Sequence, residues 1–177
     1  MGGKGKAGRT VVRNAVHLVE EFRAANEGKT KHSGETIPPV FWKPPSQGFY
    51  KVNLDGAVFS KTKQAGAGVI IRDEAGEVIA ALSKKWKWPL GAIEAEAKPW
   101  KLELNLQKML ESERQSLRVT EFESDSLLVC NALQGLSSLP SSVMNVLAGV
   151  MNQLSCFRQW KITHTKRQGN VPAHLLA

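Results

Sequence analysis

The stretch that decides the fold reads Tyr50-Lys51-Val52-Asn53-Leu54-Asp55-Gly56. Its apolar residues alternate with polar ones, which is the two-residue period of a β-strand with one buried face. We expect this first strand to end at Asp55-Gly56, where a turn would follow. The acid at its end is a candidate for chemistry as well as for a turn.

Two further strands are predicted directly after the first. Val69-Ile70-Ile71 follows the approach Gly66-Ala67-Gly68, and a second apolar run from Val78 to Leu82 follows the turn sequence Asp73-Glu74-Ala75-Gly76. Turn residues between two apolar runs favour an antiparallel hairpin. The domain is therefore predicted to open with three consecutive strands.

Beyond residue 93 the apolar period changes from two to that of a helix. One helical face between Ile93 and about Glu111 collects Leu102, Leu106, Met109 and Leu110. The remaining predicted elements are a strand from about Leu117 to Glu123, a helix through Leu127 and Leu133 that Gly135 ends, a helix from Ser141 or Ser142, a strand around Trp160, Ile162 and His164, and a helix from Val171 to Ala177. The order βββαβααβα predicts an α/β fold, with helices packed on a five-stranded mixed sheet whose first three strands are antiparallel.

The first 48 residues read as a basic tail in front of one domain, residues 49–177. They hold 8 basic and 4 acidic side chains, with a short amphipathic helix predicted from about Thr10 to Ala25 and a Pro/Gly-rich linker from Asn26 to Gln47. The 177-residue chain is 42% hydrophobic, which excludes global disorder, and its net charge of +8 favours a polyanionic partner.

Several classes of protein are excluded by what the sequence lacks. No apolar run approaches the roughly 18 residues of a membrane span, and there is no secretory signal at the start. Cys130 and Cys156 form at most one bridge and have no CxxC spacing, so neither a disulfide framework nor a zinc site is indicated. We expect an intracellular protein that needs no membrane, in nucleus or cytoplasm, and take it as a monomer by default.

Acids at strand ends and helix starts are the feature most informative about chemistry. Asp55 ends the first strand, Glu96 lies in the first turns of the long helix, and Asp125 lies where the fourth strand passes into a helix. Carboxylates brought together beside a sheet suit Mg²⁺ or Mn²⁺ and two-metal phosphodiester hydrolysis. The alternative is that Asp55 belongs to a turn, Glu96 is a solvated helix residue and Asp125 is only an N-cap.

The wording of five motifs carries a family resemblance. They are Lys51 to Ala57, Gly66 to Asp73, Glu94 to Ala97, Glu123 to Ser126, and Arg167 to Asn170 followed by Ala173 to Ala177, with Trp42-Lys43-Pro44-Pro45 in front. In this order they resemble the plant ribonuclease H-like domains of reverse-transcriptase-derived proteins, over about Trp42 to Ala177. The resemblance implies a ribonuclease H fold and a site with two Mg²⁺ or Mn²⁺ ions that cuts the RNA strand of RNA/DNA hybrids.

Residue by residue, the resemblance implies a catalytic role for several side chains. Asp55 is the carboxylate that bridges both ions, Glu96 is the second and Asp125 the third. Glu94 is an alternative second carboxylate, because the Glu-Ala-Glu-Ala repeat permits either register. His164 resembles the mobile-loop histidine that assists product release or proton transfer.

Three departures from the family pattern bear on activity. His174 stands where the family presents a fourth acid, and a neutral imidazole is a poorer partner for Mg²⁺, so the second ion is expected to bind more weakly. Pro99 lies three residues after Glu96, so either the helix begins near Glu96 to Lys98 or the acid is displaced. The ending at Ala177 leaves a last helix of about two turns, truncated and expected to fray.

The predicted nucleic-acid contacts lie beside the acids and in the last motif: Asn53, Gly56, Ala57, Ser126, Arg167 and Asn170. For Arg167 a solvated charge is an equal alternative. The run Lys84-Lys85-Trp86-Lys87-Trp88 interleaves cations and aromatics, as surfaces that bind nucleic acid do. The favoured interpretation of this run is an edge strand with Leu82, Trp86 and Trp88 on its inner face.

The sequence as a whole predicts an endonuclease that acts on the RNA strand of RNA/DNA hybrids. The alternative is a catalytically weak or inactive nucleic-acid-binding module derived from a retroelement. A decayed product that does not fold stably is a third possibility, which a cooperative thermal melt would exclude.

Overall fold

The computed structural model describes residues 42–111, 119–155 and 157–177. The described part contains five strands and four α-helices. They are β1 (Tyr50–Phe59), β2 (Gln64–Arg72), β3 (Val78–Trp86), α1 (Ala92–Glu111), β4 (Val119–Ser124), α2 (Leu127–Leu133), α3 (Ser141–Leu154), β5 (Gln159–His164) and α4 (Val171–Leu176). Short 3₁₀ turns at Ser60–Thr62 and Arg167–Gly169 complete the description.

All five strands belong to one mixed sheet in the order β3-β2-β1-β4-β5. β1 pairs antiparallel with β2, and β2 with β3, whereas β1 and β4, and β4 and β5, are parallel. The parallel pairs require crossover connections, which helices supply. The predicted order βββαβααβα and the predicted mixed sheet are both confirmed.

Helices cover both faces of this sheet. Val52, Leu54 and Phe122 point from the strands into the main core, where they meet Trp100 of α1 and Leu147 of α3. The indole of Trp100 stacks on the ring of Phe122 with 5.7 Å between ring centres. On the other face α4 packs against β2 and β3. A smaller cluster forms there from Ile70, Ala81, Ala173 and Leu176.

β1 is longer than predicted. It does not end at Asp55-Gly56 but continues to Phe59, because its partner strand keeps pairing with it, from Asp55↔Gly68 to Phe59↔Gln64. Its other side pairs with β4 only as far as Leu54↔Ser124. Asp55 is therefore a mid-strand residue. It lies one residue beyond the point where the pairing of β1 with β4 ends.

The long helix tolerates its proline. α1 begins at Ala92, so Pro99 lies inside the helix and yet Glu96 is not displaced from the other acids. Both alternatives expected from Pro99 are therefore wrong. A proline has no N–H to donate, which leaves the carbonyl of Ala95 without its usual helical partner. That carbonyl is the atom nearest to Gly56, where a Cβ would come within 2.2 Å of it.

The last helix is short but closely packed. Ala173 is fully buried and Leu176 is 5% exposed. A Cβ on Gly68 would lie 2.0 Å from the Ala173 carbonyl oxygen, and one on Gly66 would lie 1.7 Å from the oxygen of Ala177. The two glycines of β2 thus let the α4 backbone lie directly on the sheet, which contradicts the expectation of a frayed element.

A polar cluster fills the part of the α4 face that α4 does not cover. The segment before β1 brings Trp42 onto Arg72, with 3.8 Å from the guanidinium carbon to the ring centre, and its indole N–H donates to Asn53 at 3.0 Å. Lys51 pairs with Glu123 at 2.8 Å and with Glu121 at 3.4 Å. The Trp42 motif therefore covers buried charges of the sheet.

The edge strand β3 departs from its predicted pattern at one position. Trp86 is 8% exposed and lies in the core as expected, but the strand ends there and Trp88 is 56% exposed. The prediction of Trp88 on the inner face is therefore wrong.

The predicted helix from Thr10 to Ala25, most of the linker and Cys156 lie outside the described residues. Cys130 is buried, as predicted. Within the described residues no helix has the length and apolar character needed to cross a membrane.

Candidate active site

Three carboxylates from three different elements meet at one point beside the sheet. Asp55 comes from β1, Glu96 from α1 and Asp125 from the loop after β4, and one oxygen of each lies within 4.8 Å of the others. Asp55 is 1% exposed, so the cluster reaches into the protein from its surface. The three acids predicted from the sequence are thus brought together.

The close approach of α1 to β1 positions the second carboxylate. Gly56 has no side chain, and this lets the backbone of Ala95 and Glu96 lie against the strand. Glu94 points elsewhere, because its carboxylate accepts the backbone N–H of Gly91 at 3.2 Å at the start of the helix. The structure thereby selects Glu96 over Glu94.

A buried asparagine orients the third carboxylate. Asn170 is fully buried, and its Nδ2 donates to the Leu54 carbonyl at 2.8 Å and to Asp125 Oδ1 at 3.3 Å. Ser126, not Asp125, is the N-cap residue of α2. The alternative in which Asp125 is only an N-cap is therefore wrong.

A histidine and an arginine complete the site on the side of α4. His174 Nδ1 lies 2.7 Å from Asp55 Oδ2, and Arg167 Nη2 lies 2.7 Å from the imidazole Nε2. Arg167 Nη2 lies equally close to Nδ1, also at 2.7 Å. The imidazole of His174 thus lies between the carboxylate of Asp55 and the guanidinium of Arg167. Arg167 also lies 4.0 Å from Asp125 Oδ2.

The carboxylates disfavour one another's ionisation. Burial raises the pKa of Asp55 to about 6, with a further rise from Asp125 that the hydrogen bond to His174 opposes. Burial, followed by the charges of Asp55 and Asp125, raises the pKa of Glu96 to about 8, although the Gly56 backbone N–H and Arg167 act against the rise. Acids of this kind are typical of functional sites and would be ionised together by a cation.

The donor set fits a divalent cation of the Mg²⁺ or Mn²⁺ type. Asp55 Oδ1 and Glu96 Oε2 are buried and have no hydrogen-bond partner among the described residues, so two oxygens are available as ligands. Hard cations prefer such carboxylate oxygens. The place of a fourth acid is taken by the His174 imidazole, which brings no negative charge, and the positively charged Arg167 lies beside it. The residues present therefore fit one such ion better than two.

His164 lies apart from the carboxylate cluster among the described residues. It ends β5, is exposed, and pairs in register with Ser124 at the end of β4. His164 is therefore level with Ser124, the residue before Asp125. Its role in proton transfer or product release stays a prediction.

The predicted nucleic-acid contacts separate into three groups. Asn53 is fully buried and bonded to Trp42, Arg72 and Glu123, which speaks against the predicted contact. Gly56 and Asn170 shape the site from inside. Ala57 and Ser126 are partly exposed and Arg167 is exposed, so their predicted contacts with nucleic acid stay predictions.

Sequence reasoning missed the link from Arg167 to His174. The two residues are seven apart, and the 3₁₀ turn Arg167–Gly169 folds the first back toward the helix that carries the second. A basic residue ahead of an imidazole gives no signal in the sequence, because the turn that joins them has no distinctive pattern.

Comparison with known proteins gives a family from the sequence and a fold from the structure. The model of a family described as reverse transcriptase-like matches residues 53–177. A search of curated proteins found no match.

Solved structures with the same fold include ribonucleases and viral enzymes. A ribonuclease H1 from the halophilic archaeon Halobacterium salinarum is 22% identical, with a TM-score of 0.64, over 73% of this chain and 94% of that one. A compost-derived ribonuclease H1 solved with an RNA/DNA hybrid is 20% identical, also with a TM-score of 0.64, over 72% and 92% of the two chains.

A foamy viral protease-reverse transcriptase, solved with the same kind of hybrid, is 14% identical with a TM-score of 0.55 over 84% of this chain and 21% of its own. These identities show the fold, which is that of ribonuclease H. With its family match over residues 53–177 and this fold, the chain belongs to the reverse transcriptase-like family of ribonuclease H-like domains.

Proposed function

We propose that this protein hydrolyses the RNA strand of RNA/DNA hybrids, with Mg²⁺ or Mn²⁺ held by Asp55, Glu96 and Asp125. The observation that carries the proposal is the convergence of three carboxylates, two of which have buried oxygens without hydrogen-bond partners. The solved neighbours support the choice of substrate, because two of them were determined with an RNA/DNA hybrid.

The chain's own residues hold and orient the reacting groups. Asn170 fixes Asp125 through its bond to Asp125 Oδ1, and His174 fixes Asp55 through Asp55 Oδ2. A bound divalent ion would activate water and stabilise the leaving oxygen. The side chain of Arg167, 61% exposed beside Asp125, is placed to donate to phosphate oxygens of the substrate.

The metal requirement follows from the fourth position. The family resemblance implies two ions, but His174 brings no negative charge and Arg167 brings a positive one. Both lower the affinity for a second cation. We expect one ion to bind more tightly than the other, and we expect Mn²⁺ to support more activity than Mg²⁺, because Mg²⁺ demands a near-ideal octahedral set of oxygen ligands.

A cleavage assay tests this function with a matched pair of variants. Glu96→Gln and Glu94→Gln change the same side chain two residues apart on one helix, but only Glu96 belongs to the carboxylate cluster. With a labelled RNA strand in a hybrid, we expect metal-dependent cleavage by the wild type and by Glu94→Gln, and its loss in Glu96→Gln and Asp55→Asn.

The alternative function is a binding module that has lost catalysis, favoured by the imidazole and guanidinium at the fourth position. Its signature is salt-sensitive binding of the hybrid with no cleavage in either metal. Calorimetric titration with Mn²⁺ separates the two cases further. An absence of metal binding by the wild type would refute the metal-dependent mechanism whatever the protein binds.

A further inference from the structure

A basic surface lies outside the carboxylate site, at the turn end of the β1–β2 hairpin. It consists of five exposed lysines, and we call it the basic end: Lys61, Lys63, Lys84, Lys85 and Lys87. No acid lies in residues 56–72 or in residues 78–93. Within the described part of the chain, none of the five forms an ion pair with a carboxylate.

Strand register brings these lysines together from two separate segments. β1 and β2 meet at Phe59↔Gln64, with Lys61 and Lys63 in the connection between them. The start of β2 then pairs with the end of β3 at Ala65↔Trp86, which puts Lys84, Lys85 and Lys87 at the same end of the sheet. Unpaired charges of one sign so close together favour a polyanion.

Exposed aromatic rings lie among the lysines. Phe59 is 41% exposed and Trp88 is 56% exposed, and Lys85 Nζ lies 5.7 Å from the centre of the Phe59 ring. Lysines alone on β3 would be explained by protection of an edge strand. That explanation covers neither the two lysines of the turn nor an indole left in solvent. Cations interleaved with exposed rings are the surface that single-stranded nucleic acids bind.

The basic end is continuous with the candidate active site. Asp55, Ala57 and Phe59 share one face of β1, because side chains alternate along a strand. Phe59 lies four residue steps after Asp55, a distance of about 13 Å along the strand. That distance is about four nucleotides of a stacked strand at 3.4 Å each.

We propose that the basic end binds a single-stranded stretch of nucleic acid that continues from the hybrid held at the carboxylates. This inference rests on the proposed function in one respect: the function decides which strand of the hybrid lies at the carboxylates. The lysines contact the phosphates, and Trp88 offers a face on which an unpaired base stacks.

Binding of a single strand tests the proposal without any cleavage. The probe is a labelled 12-nucleotide oligothymidylate, titrated with the full chain in a chelator at several salt concentrations. The test variant is the triple change Lys61→Gln, Lys63→Gln and Lys85→Gln. The matched control removes three exposed lysines elsewhere, Lys43→Gln, Lys101→Gln and Lys161→Gln, so that the net charge is the same.

We expect the test triple to lower the slope of log affinity against log salt by about 2, since each lost phosphate contact on a single strand removes about 0.7. The control triple should change it by less than 1. Trp88→Ala should weaken binding about fivefold or more and leave the slope unchanged, because stacking releases no counterions. Equal effects of the two triples, or a wild type that does not bind the strand, would overturn the proposal.

Failure of this inference and failure of the proposed function give different results. A wild type that cleaves hybrids, with the two triples equal in strand binding, leaves the function standing and refutes the basic end. A wild type that binds the strand through the basic end but cleaves no hybrid supports the basic end and refutes the proposed function. A thermal melt of each variant shows that the fold is retained.

Discussion

The imidazole Nδ1 of His174 lies 2.7 Å from Oδ2 of Asp55, so a ring without negative charge occupies the place of the fourth acid. Arg167 Nη2 lies 2.7 Å from each of the two ring nitrogens. This arrangement holds the buried aspartate in position without adding to the negative charge of the site. It stabilises the metal-free protein at the expense of affinity for a second cation.

Replacing that ring by a carboxylate should therefore recover metal binding. We expect His174→Asp to bind a second Mn²⁺ ion, because a carboxylate oxygen then stands where the imidazole nitrogen was. Its affinity for Mn²⁺ should exceed that of the wild type about tenfold or more. Calorimetric titration measures both affinity and stoichiometry. Gln168→Asp, which adds the same charge to the exposed 3₁₀ turn, is the control and should leave the stoichiometry as in the wild type.

The raised carboxylate pKa values predict how stability depends on pH in the metal-free protein. The pKa of Glu96 rises from 4.5 to about 8 on folding, so the folded state binds a proton more tightly than the unfolded chain. This contribution is complete below pH 4.5 and is lost as the pH rises through about 8. In a chelator, the midpoint of thermal unfolding should fall across this window.

Glu96→Gln isolates that contribution, because its amide does not titrate. Its unfolding midpoint should fall less steeply with pH than that of the wild type. Saturating Mg²⁺ should flatten the wild-type profile as well, since the ion favours the ionised carboxylates. Parallel profiles for wild type and variant in chelator would show that Glu96 is not perturbed by its neighbours.

The close contact between β1 and α1 predicts that Gly56 has no tolerated substitute. A Cβ there would lie 2.2 Å from the Ala95 carbonyl oxygen, so Gly56→Ala must push the start of α1 away from the strand. We expect a loss of about 1 to 3 kcal/mol in unfolding free energy from this overpacking, together with weaker Mn²⁺ binding as Glu96 moves.

Gly149→Ala is the matched control for that change. Gly149 lies on the exposed face of α3, and no heavy atom of the described part of the chain lies within 4 Å of a Cβ added there. Alanine should therefore stabilise the protein by about 0.5 to 1 kcal/mol. Urea unfolding compares the two variants, and equal effects of the two substitutions would contradict the proposed contact.

Trp42 should be the more important of two tryptophans for stability. Trp42→Ala removes the indole that covers Arg72 and donates to Asn53, so we expect a loss of about 3 kcal/mol. Trp88→Ala, at 56% exposure, should change the unfolding free energy by less than about 0.5 kcal/mol. Denaturant unfolding of the two variants measures the difference. Similar losses would mean that Trp42 does not hold the buried charges in place.

Local patterns in the sequence were enough to predict the elements of the fold. The alternation around Val52 and Leu54 predicted β1, and the turn from Asp73 to Gly76 predicted the hairpin that β2 and β3 form. These signals are readable because a strand or a tight turn depends on residues close together in the chain. The end of β1 was missed, since pairing with β2 carries the strand past a glycine that by itself favours a turn.

The three acids of the site were also predicted, with help from motifs that resemble a known family. Spacing alone left an N-cap as the alternative role of Asp125, and the motif match left Glu94 as a rival of Glu96. The rivals differ by only two helical positions, so the choice between them depends on which carboxylate faces Asp55. The bond from Gly91 to Glu94 decided it, and that bond is a property of the folded helix start.

The sequence by itself determined the strand and helix order, the residue types available for metal binding and the absence of a fourth acid, because each is written in local pattern or in residue identity. Only the tertiary structure decided which groups meet. It placed Arg167 on His174, the Ala95 carbonyl on Gly56, and the turn lysines beside those of β3. These contacts join segments distant in the chain, and strand register and helix packing, which no local pattern specifies, bring them together.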